Sequence, residues 1–285
     1  MSRRRPGPAR TSRGRLLGAL AATVAVALLA AGCSSGSGST GAAGSTTAGA
    51  SADLTGSLDV FAAASLKGAF DELAQRFGAA HPGVTVKPVD YDGSSTLATQ
   101  LTGGAKADVF AAADTTTMQT VVDAGLTQGD PTVFTTNSLQ IAVAPGNPKN
   151  VHSLADLATL STDGGKVVIC APEVPCGNAT TTALDAAGVT LQPASQEQNV
   201  TAVLTKVVAG EADAGLVYRT DVQSAAGKVD GVDFPEAAQA INHYPIAELA
   251  AGTRSGDDAT AAAFVRYVLG PDGQAVLKER GFVAP

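Results

Sequence analysis

From about residue 57 to the C-terminus, short apolar runs rich in β-branched residues alternate with stretches of helical periodicity. This rhythm predicts α/β layers with largely parallel strands. Ser57–Ala62 reads as a first strand, and Leu66–Ala80 as a helix with Phe70, Leu73, Ala74 and Phe77 on one stripe. Val84–Val89 follows as a strand, Ser95–Thr102 as a short helix and Ala107–Ala111 as a strand. A second α/β unit opens with a strand at Leu139–Ala144, a helix at Leu154–Leu160 and a strand at Lys166–Cys170. It continues with helices at Thr180–Ala187 and Val200–Ala209 and a strand at Ala214–Tyr218. The C-terminal piece carries Ile246–Leu249, a helix through Phe264, Val265, Tyr267 and Val268, and a last helix ending at Gly281. Its expected role is to return to the first unit.

The N-terminal stretch has a different pattern. Arg3, Arg4, Arg5, Arg10, Arg13 and Arg15 precede a run from Leu16 to Gly32 without any charge. The run is Ala-rich, too short for a comfortable membrane span, and closed by small residues, as a secretion signal is. Ala30-Ala31-Gly32-Cys33 resembles a lipobox, with Ala30 where Leu is usual, so Cys33 is expected to be lipidated and to open the mature chain. An ordinary cleavage site beside an incidental Cys is the alternative. Residues 34–51 are only Ser, Gly, Thr and Ala, a composition that cannot offset its ordering entropy. The expected organisation is a leader at 1–32, a lipid-anchored Cys and flexible linker at 33–56, a first lobe at 57–137, a second lobe at 138–240 and a return to the first lobe at 241–285.

Charge narrows the partners. Beyond the leader the chain keeps all 26 Asp and Glu but 13 of its 19 Lys and Arg, a net −13. No basic footprint remains for nucleic acid. Cys170 and Cys176 sit in Cys-Ala-Pro-Glu-Val-Pro-Cys on an exported chain, which points first to a small-loop disulfide. Zinc is the alternative, although neither His152 nor His243 stands at ligand spacing.

The chemistry concentrates where strands run into helices. Ala62-Ala63-Ala64-Ser65-Leu66 and Tyr91-Asp92-Gly93-Ser94-Ser95 are both Ser-led junctions. Each serine alone reads as a helix cap. Free amides at such a junction also make an anion site, and two junctions without Lys or Arg read as a cradle of neutral donors.

Four stretches carry a resemblance: Phe61-Ala62-Ala63-Ala64-Ser65-Leu66, Gly93-Ser94-Ser95-Thr96-Leu97-Ala98-Thr99-Gln100, Ala107-Asp108-Val109-Phe110-Ala111-Ala112-Ala113-Asp114 and Gly215-Leu216-Val217-Tyr218. In this order and spacing the chain resembles the periplasmic molybdate-binding proteins of ABC importers, from about Leu58 to Pro285. The resemblance implies a two-lobed α/β periplasmic-binding-protein fold of type II, with mixed sheets, helices on both faces and a hinge. It implies a ligand shell of Ser65, Ser94, the amides of Cys176 and Val200, and the hydroxyl of Tyr218. Cys176 stands in Val-Pro-Cys-Gly where the family has Val-Pro-Ala-Gly, and the preceding stretch is one residue shorter. It further implies molybdate or tungstate as ligand and ABC permease and ATPase subunits as partners, with no cofactor; the expected lipid on Cys33 gives the route to the membrane, and a monomer is expected. Molybdenum enters only within the oxyanion.

Residue by residue, Val200 also reads as a helix core position and Tyr218 as a half-buried strand aromatic. Asp108 and Asp114 read as turn or cap residues, and Asp92 is expected to turn away from an anion. A donor-only shell accepts molybdate and sulfate alike, leaving cavity size to separate them. Phosphate keeps a proton that finds no acceptor there, unless Asp92 or Glu173 turns inward. Sulfate or phosphate binding is therefore the alternative within this class. A serine-dependent enzyme is the alternative outside it. No Gly-x-Ser-x-Gly elbow is present, and Lys67 follows Ser65 at the wrong spacing for Ser-x-x-Lys.

Overall fold

The computed structural model describes residues 54–256 and 258–285. The leader, Cys33 and most of the expected linker lie outside the described residues. Residues 54–56, counted above with the linker, belong to the fold: Leu54 packs on the core and Gly56 opens the first strand.

The first lobe contains β1 (Gly56–Leu58), β2 (Val60–Ala63), α1 (Lys67–Ala80), β3 (Val84–Val86), β4 (Asp90–Asp92), α2 (Ser94–Thr102), β5 (Val109–Ala111), α3 (Thr115–Asp123) and β6 (Thr132–Asn137). The chain then crosses at Ser138 into β7 (Leu139–Val143), α4 (Leu154–Thr162), β8 (Val167–Cys170), α5 (Pro175–Ala187), β9 (Ser195–Glu197), α6 (Val200–Val208), β10 (Ala214–Tyr218), α7 (Arg219–Ser224) and β11 (Asp230–Val232). It crosses back near Ile241 into β12 (Asn242–Glu248), α8 (Asp258–Leu269) and α9 (Pro271–Glu279).

Two five-stranded sheets result, ordered β4-β2-β5-β12-β6 and β11-β7-β10-β8-β9, with β1 and β3 as a separate parallel pair. Each sheet is mixed, with four strands running one way and one against them. β12 runs antiparallel to β5 and β6, and β7 antiparallel to β10 and β11, because these strands follow the two crossings between sheets.

Side-chain alternation explains why the first sheet is buried on both faces. Val60, Ala62, Val109 and Ala111 enter one core, while Phe61 and Phe110 enter the other. The first core is closed by edge-to-face aromatic pairs, Phe77 on Phe264 at 5.2 Å and Phe70 on Phe134 at 5.9 Å. The second lobe has its own core around β7, β8 and β10.

Of two runs read as single strands, one is divided and the other is cut short. Asp59 interrupts the first, because its amide donates to Asp108 Oδ2 at 2.7 Å and its carbonyl accepts from the Asp108 amide at 2.8 Å. β1 and β2 therefore join different sheets. The run at 84–89 stops at Val86, since Pro88 has no amide to extend the ladder, and pairing resumes at β4. α5 starts at Pro175 rather than Thr180, with proline in its first turn, where a missing amide costs nothing. Among the described residues, no helix is long and apolar enough to cross a membrane.

Candidate functional site

Five strands of the two sheets, β2, β4, β8, β9 and β10, end facing the crevice between the lobes, and each passes into a helix there. Strand ends leave a crevice, and the helices they feed present unpaired first-turn amides to it. Ser65, Ser94, Cys176, Val200 and Tyr218 all sit at these junctions and line one cavity. Its other walls are Ala63, Ala64, Asp92, Gly93, Ala113, Val174, Pro175 and Asn199. None of these lining residues is Lys, Arg or His. The lobes meet over it, with Asn199 Nδ2 donating to Asp92 Oδ1 at 2.8 Å and Ser95 Oγ to the Glu173 carbonyl at 2.7 Å.

The hydroxyls are oriented by their surroundings. Ser94 is buried and its Oγ accepts from the Ala113 amide at 2.9 Å, which leaves its own proton to point elsewhere. Ser65 Oγ lies 3.0 Å from the hydroxyl of buried Tyr244, and Asn137 Nδ2 donates to that hydroxyl at 3.4 Å. A Tyr244 hydroxyl that accepts from Asn137 and donates to Ser65 frees the Ser65 proton for the cavity. The Tyr218 hydroxyl is buried beside Tyr244 and meets no well-formed hydrogen-bond partner among the described residues. Burial, and then the neighbouring Tyr244, Asp114 and Asp221, push its pKa far up, so it remains a donor.

The second lobe supplies amides. Val174 stands at the N-cap of α5 and has no side-chain acceptor, so the Cys176 amide is not capped. Cys170 and Cys176 are joined in a disulfide with Cα atoms 5.7 Å apart, which ties the start of α5 to the end of β8 and leaves no thiolate pair for zinc. Gly177 completes this turn: a Cβ there would lie 1.8 Å from the Ala171 carbonyl oxygen. Asn199 caps α6 by accepting from the Ala202 amide at 2.9 Å, and Val200, the first residue of that helix, lines the cavity. The Val200 side chain is also buried in the second core, so its two sequence readings are compatible.

Asp92, expected to point away from an anion, has its carboxylate engaged by protein donors. It lines the cavity, with Oδ1 accepting from the Gly93 amide at 2.7 Å and from Asn199 Nδ2 at 2.8 Å, and this pair of donors holds it at the rim. Glu173 lies outside the cavity lining, and its Oε1 accepts from Gln198. Asp108 accepts from the amides of Asp59, Ser255 and Gly256, and Asp114 caps α3 by accepting from Thr117. Arg219 pairs with Asp233 outside the cavity. His81, His152 and His243 lie outside the lining as well, so no imidazole stands beside either serine. Tyr244, Ala113 and Asn199 are not legible as parts of one site in the sequence. Only the Asn199-Val200 junction, a capping residue before an apolar helix, signals itself locally.

A family model described as bacterial extracellular solute-binding protein matches residues 58–283. The chain is 49% identical over 217 residues to the molybdate-binding protein ModA of Mycobacterium tuberculosis, covering 76% of this chain and 80% of that protein. The periplasmic molybdate-binding protein of Azotobacter vinelandii superposes with a TM-score of 0.67 at 22% identity, covering 80% of this chain and 99% of that one. The sulfate-binding protein SubI of M. tuberculosis gives the same TM-score at 20% identity, covering 80% and 86%, so the fold does not by itself choose between these anions. With two lobes shut over a crevice of strand ends and a family model spanning nearly all of the described chain, this protein belongs to the bacterial extracellular solute-binding protein family.

Proposed function

We propose that this protein captures molybdate or tungstate between its lobes and delivers it to the permease and ATPase of an ABC importer. The observation that carries this reading is the cavity itself, in which neutral donors from five junctions converge without a cation. Ser65, Ser94 and Tyr218 supply hydroxyls, and Cys176 and Val200 supply amides. Hydrogen bonds to a charged acceptor are roughly twice as strong as neutral ones, so a full shell of them offsets the desolvation of a dianion. The likeness to the mycobacterial molybdate-binding protein favours the larger oxyanions over sulfate.

No step of catalysis is assigned. Ser65 leans on Tyr244 rather than on a base, which fits binding and release rather than turnover. The protein acts outside the cytoplasm as a monomer, tethered through a lipidated Cys33.

Ligand that binds only the folded state raises stability in proportion to RT ln(1 + [L]/Kd). Thermal unfolding of the mature protein is expected to shift upward with millimolar molybdate or tungstate and less with sulfate or phosphate. Equal or larger shifts with sulfate or phosphate would move the assignment to those anions.

A further inference from the structure

Three contacts join the β4–α2 junction to the second lobe, and none needs a ligand. Asn199 Nδ2 donates across the cleft to Asp92 Oδ1 at 2.8 Å, while Asn199 Oδ1 is held by the Ala202 amide of its own helix. Ser95 Oγ donates to the Glu173 carbonyl at 2.7 Å. Gly93, whose backbone is ordinary (φ −56°, ψ 134°), comes so close to the other lobe that a Cβ would lie 2.1 Å from the Gln198 carbonyl oxygen. The glycine is needed there for the approach of the lobes, not for its conformation.

Asp92 is the unexpected member of this group. Coulomb's law alone makes a carboxylate on the wall of an anion cavity unfavourable, and it should weaken capture. Its geometry assigns the opposite effect. One oxygen accepts from its own lobe and from the facing lobe at once, so the bond exists only when the cleft is shut.

We propose that Asp92 is a positioning residue, a latch that engages Asn199 and stabilises the closed cleft from within the wall of the site. The latch rests on reading the cavity as an oxyanion site. Closure then has a ligand-independent component, and an anion that enters finds part of the closing free energy already supplied. Three substitutions separate the latch from the charge. Asp92→Ala removes both. Asp92→Asn removes the charge and keeps an oxygen acceptor facing Asn199. Asn199→Ser keeps the helix cap and removes the cross-cleft donor.

The test is calorimetric titration of the mature protein and these variants with molybdate. Asp92→Ala and Asn199→Ser are each expected to weaken binding about tenfold, and the double substitution to weaken it no further, because both remove one bond. Asp92→Asn is expected to bind within about threefold of the parent or more tightly. Asp92→Ala binding as tightly as the parent, or more tightly, overturns the latch and leaves Asp92 as an opposing charge. Failure of the parent protein to bind molybdate counts against the proposed function instead. In that event, ligand-free small-angle scattering decides the latch. A larger radius of gyration in Asp92→Ala and Asn199→Ser supports it, and an unchanged radius overturns it.

Discussion

A buried hydroxyl without a well-formed hydrogen-bond partner is costly, and Tyr218 keeps one at the inner end of β10. If its partner is the ligand, removing the hydroxyl has opposite effects on two quantities. Tyr218→Phe is expected to stabilise the ligand-free protein by about 1 kcal/mol and to weaken molybdate binding by about 1–3 kcal/mol. Urea unfolding paired with titration checks both signs, and a variant that loses stability without losing affinity would place Tyr218 in the core alone. Three residues on, burial pushes the Asp221 carboxyl up to about 7, against the partial opposition of the Tyr218 amide, which donates to its Oδ2 at 2.9 Å. Between the unfolded value near 4 and the folded value near 7, the folded state holds the extra proton, so this residue's contribution to stability falls as pH rises through that window. Asp221→Asn keeps an acceptor for the Tyr218 amide and is expected to gain on the parent by on the order of 3 kcal/mol between pH 5 and pH 8. The same gap between variant and parent at both pH values in urea titrations would show that Asp221 is ionised throughout.

At the scale of elements, the site is a set of strand-to-helix junctions, and the most constrained is the one between β8 and α5. There the Cys170–Cys176 bond, Gly177 against Ala171 and a proline in the first turn of α5 all hold the Cys176 amide in place. Closing so short a loop in the unfolded chain is worth about 2 kcal/mol, so replacing both cysteines with alanine is expected to cost about that much by chemical denaturation, with weaker anion binding. Unchanged stability and affinity would make the bond incidental. The β2–α1 junction is readable in the sequence because a buried apolar run ends there in Ser65 within a few residues, whereas β4 and β9 are three-residue polar strands and β10 runs directly into Arg219. Other elements were not readable either. β6 and α3 are built from Thr-rich stretches with few apolar markers, and β9 and β11 are three-residue edge strands held by their neighbours. The division at Asp59 depends on Asp108, 49 residues away, and the link from Ser65 to Tyr244 spans 179 residues. Local pattern cannot carry information of that range.

Over the whole molecule, two sheets are connected by two chain crossings, near Ser138 and near Ile241, a layout that lets the lobes part and close about a hinge. Residues 33–285 carry 26 Asp and Glu against 13 Lys and Arg, so long-range attraction does not draw an anion in. Retention has to come from short-range donors that meet only on closure. The crystal structure of the molybdate complex tests it most directly. The oxo atoms are expected within hydrogen-bond distance of the Ser65, Ser94 and Tyr218 hydroxyls and the Cys176 and Val200 amides. A Lys or Arg head group on an oxo atom, or an anion bound outside the crevice, would contradict it.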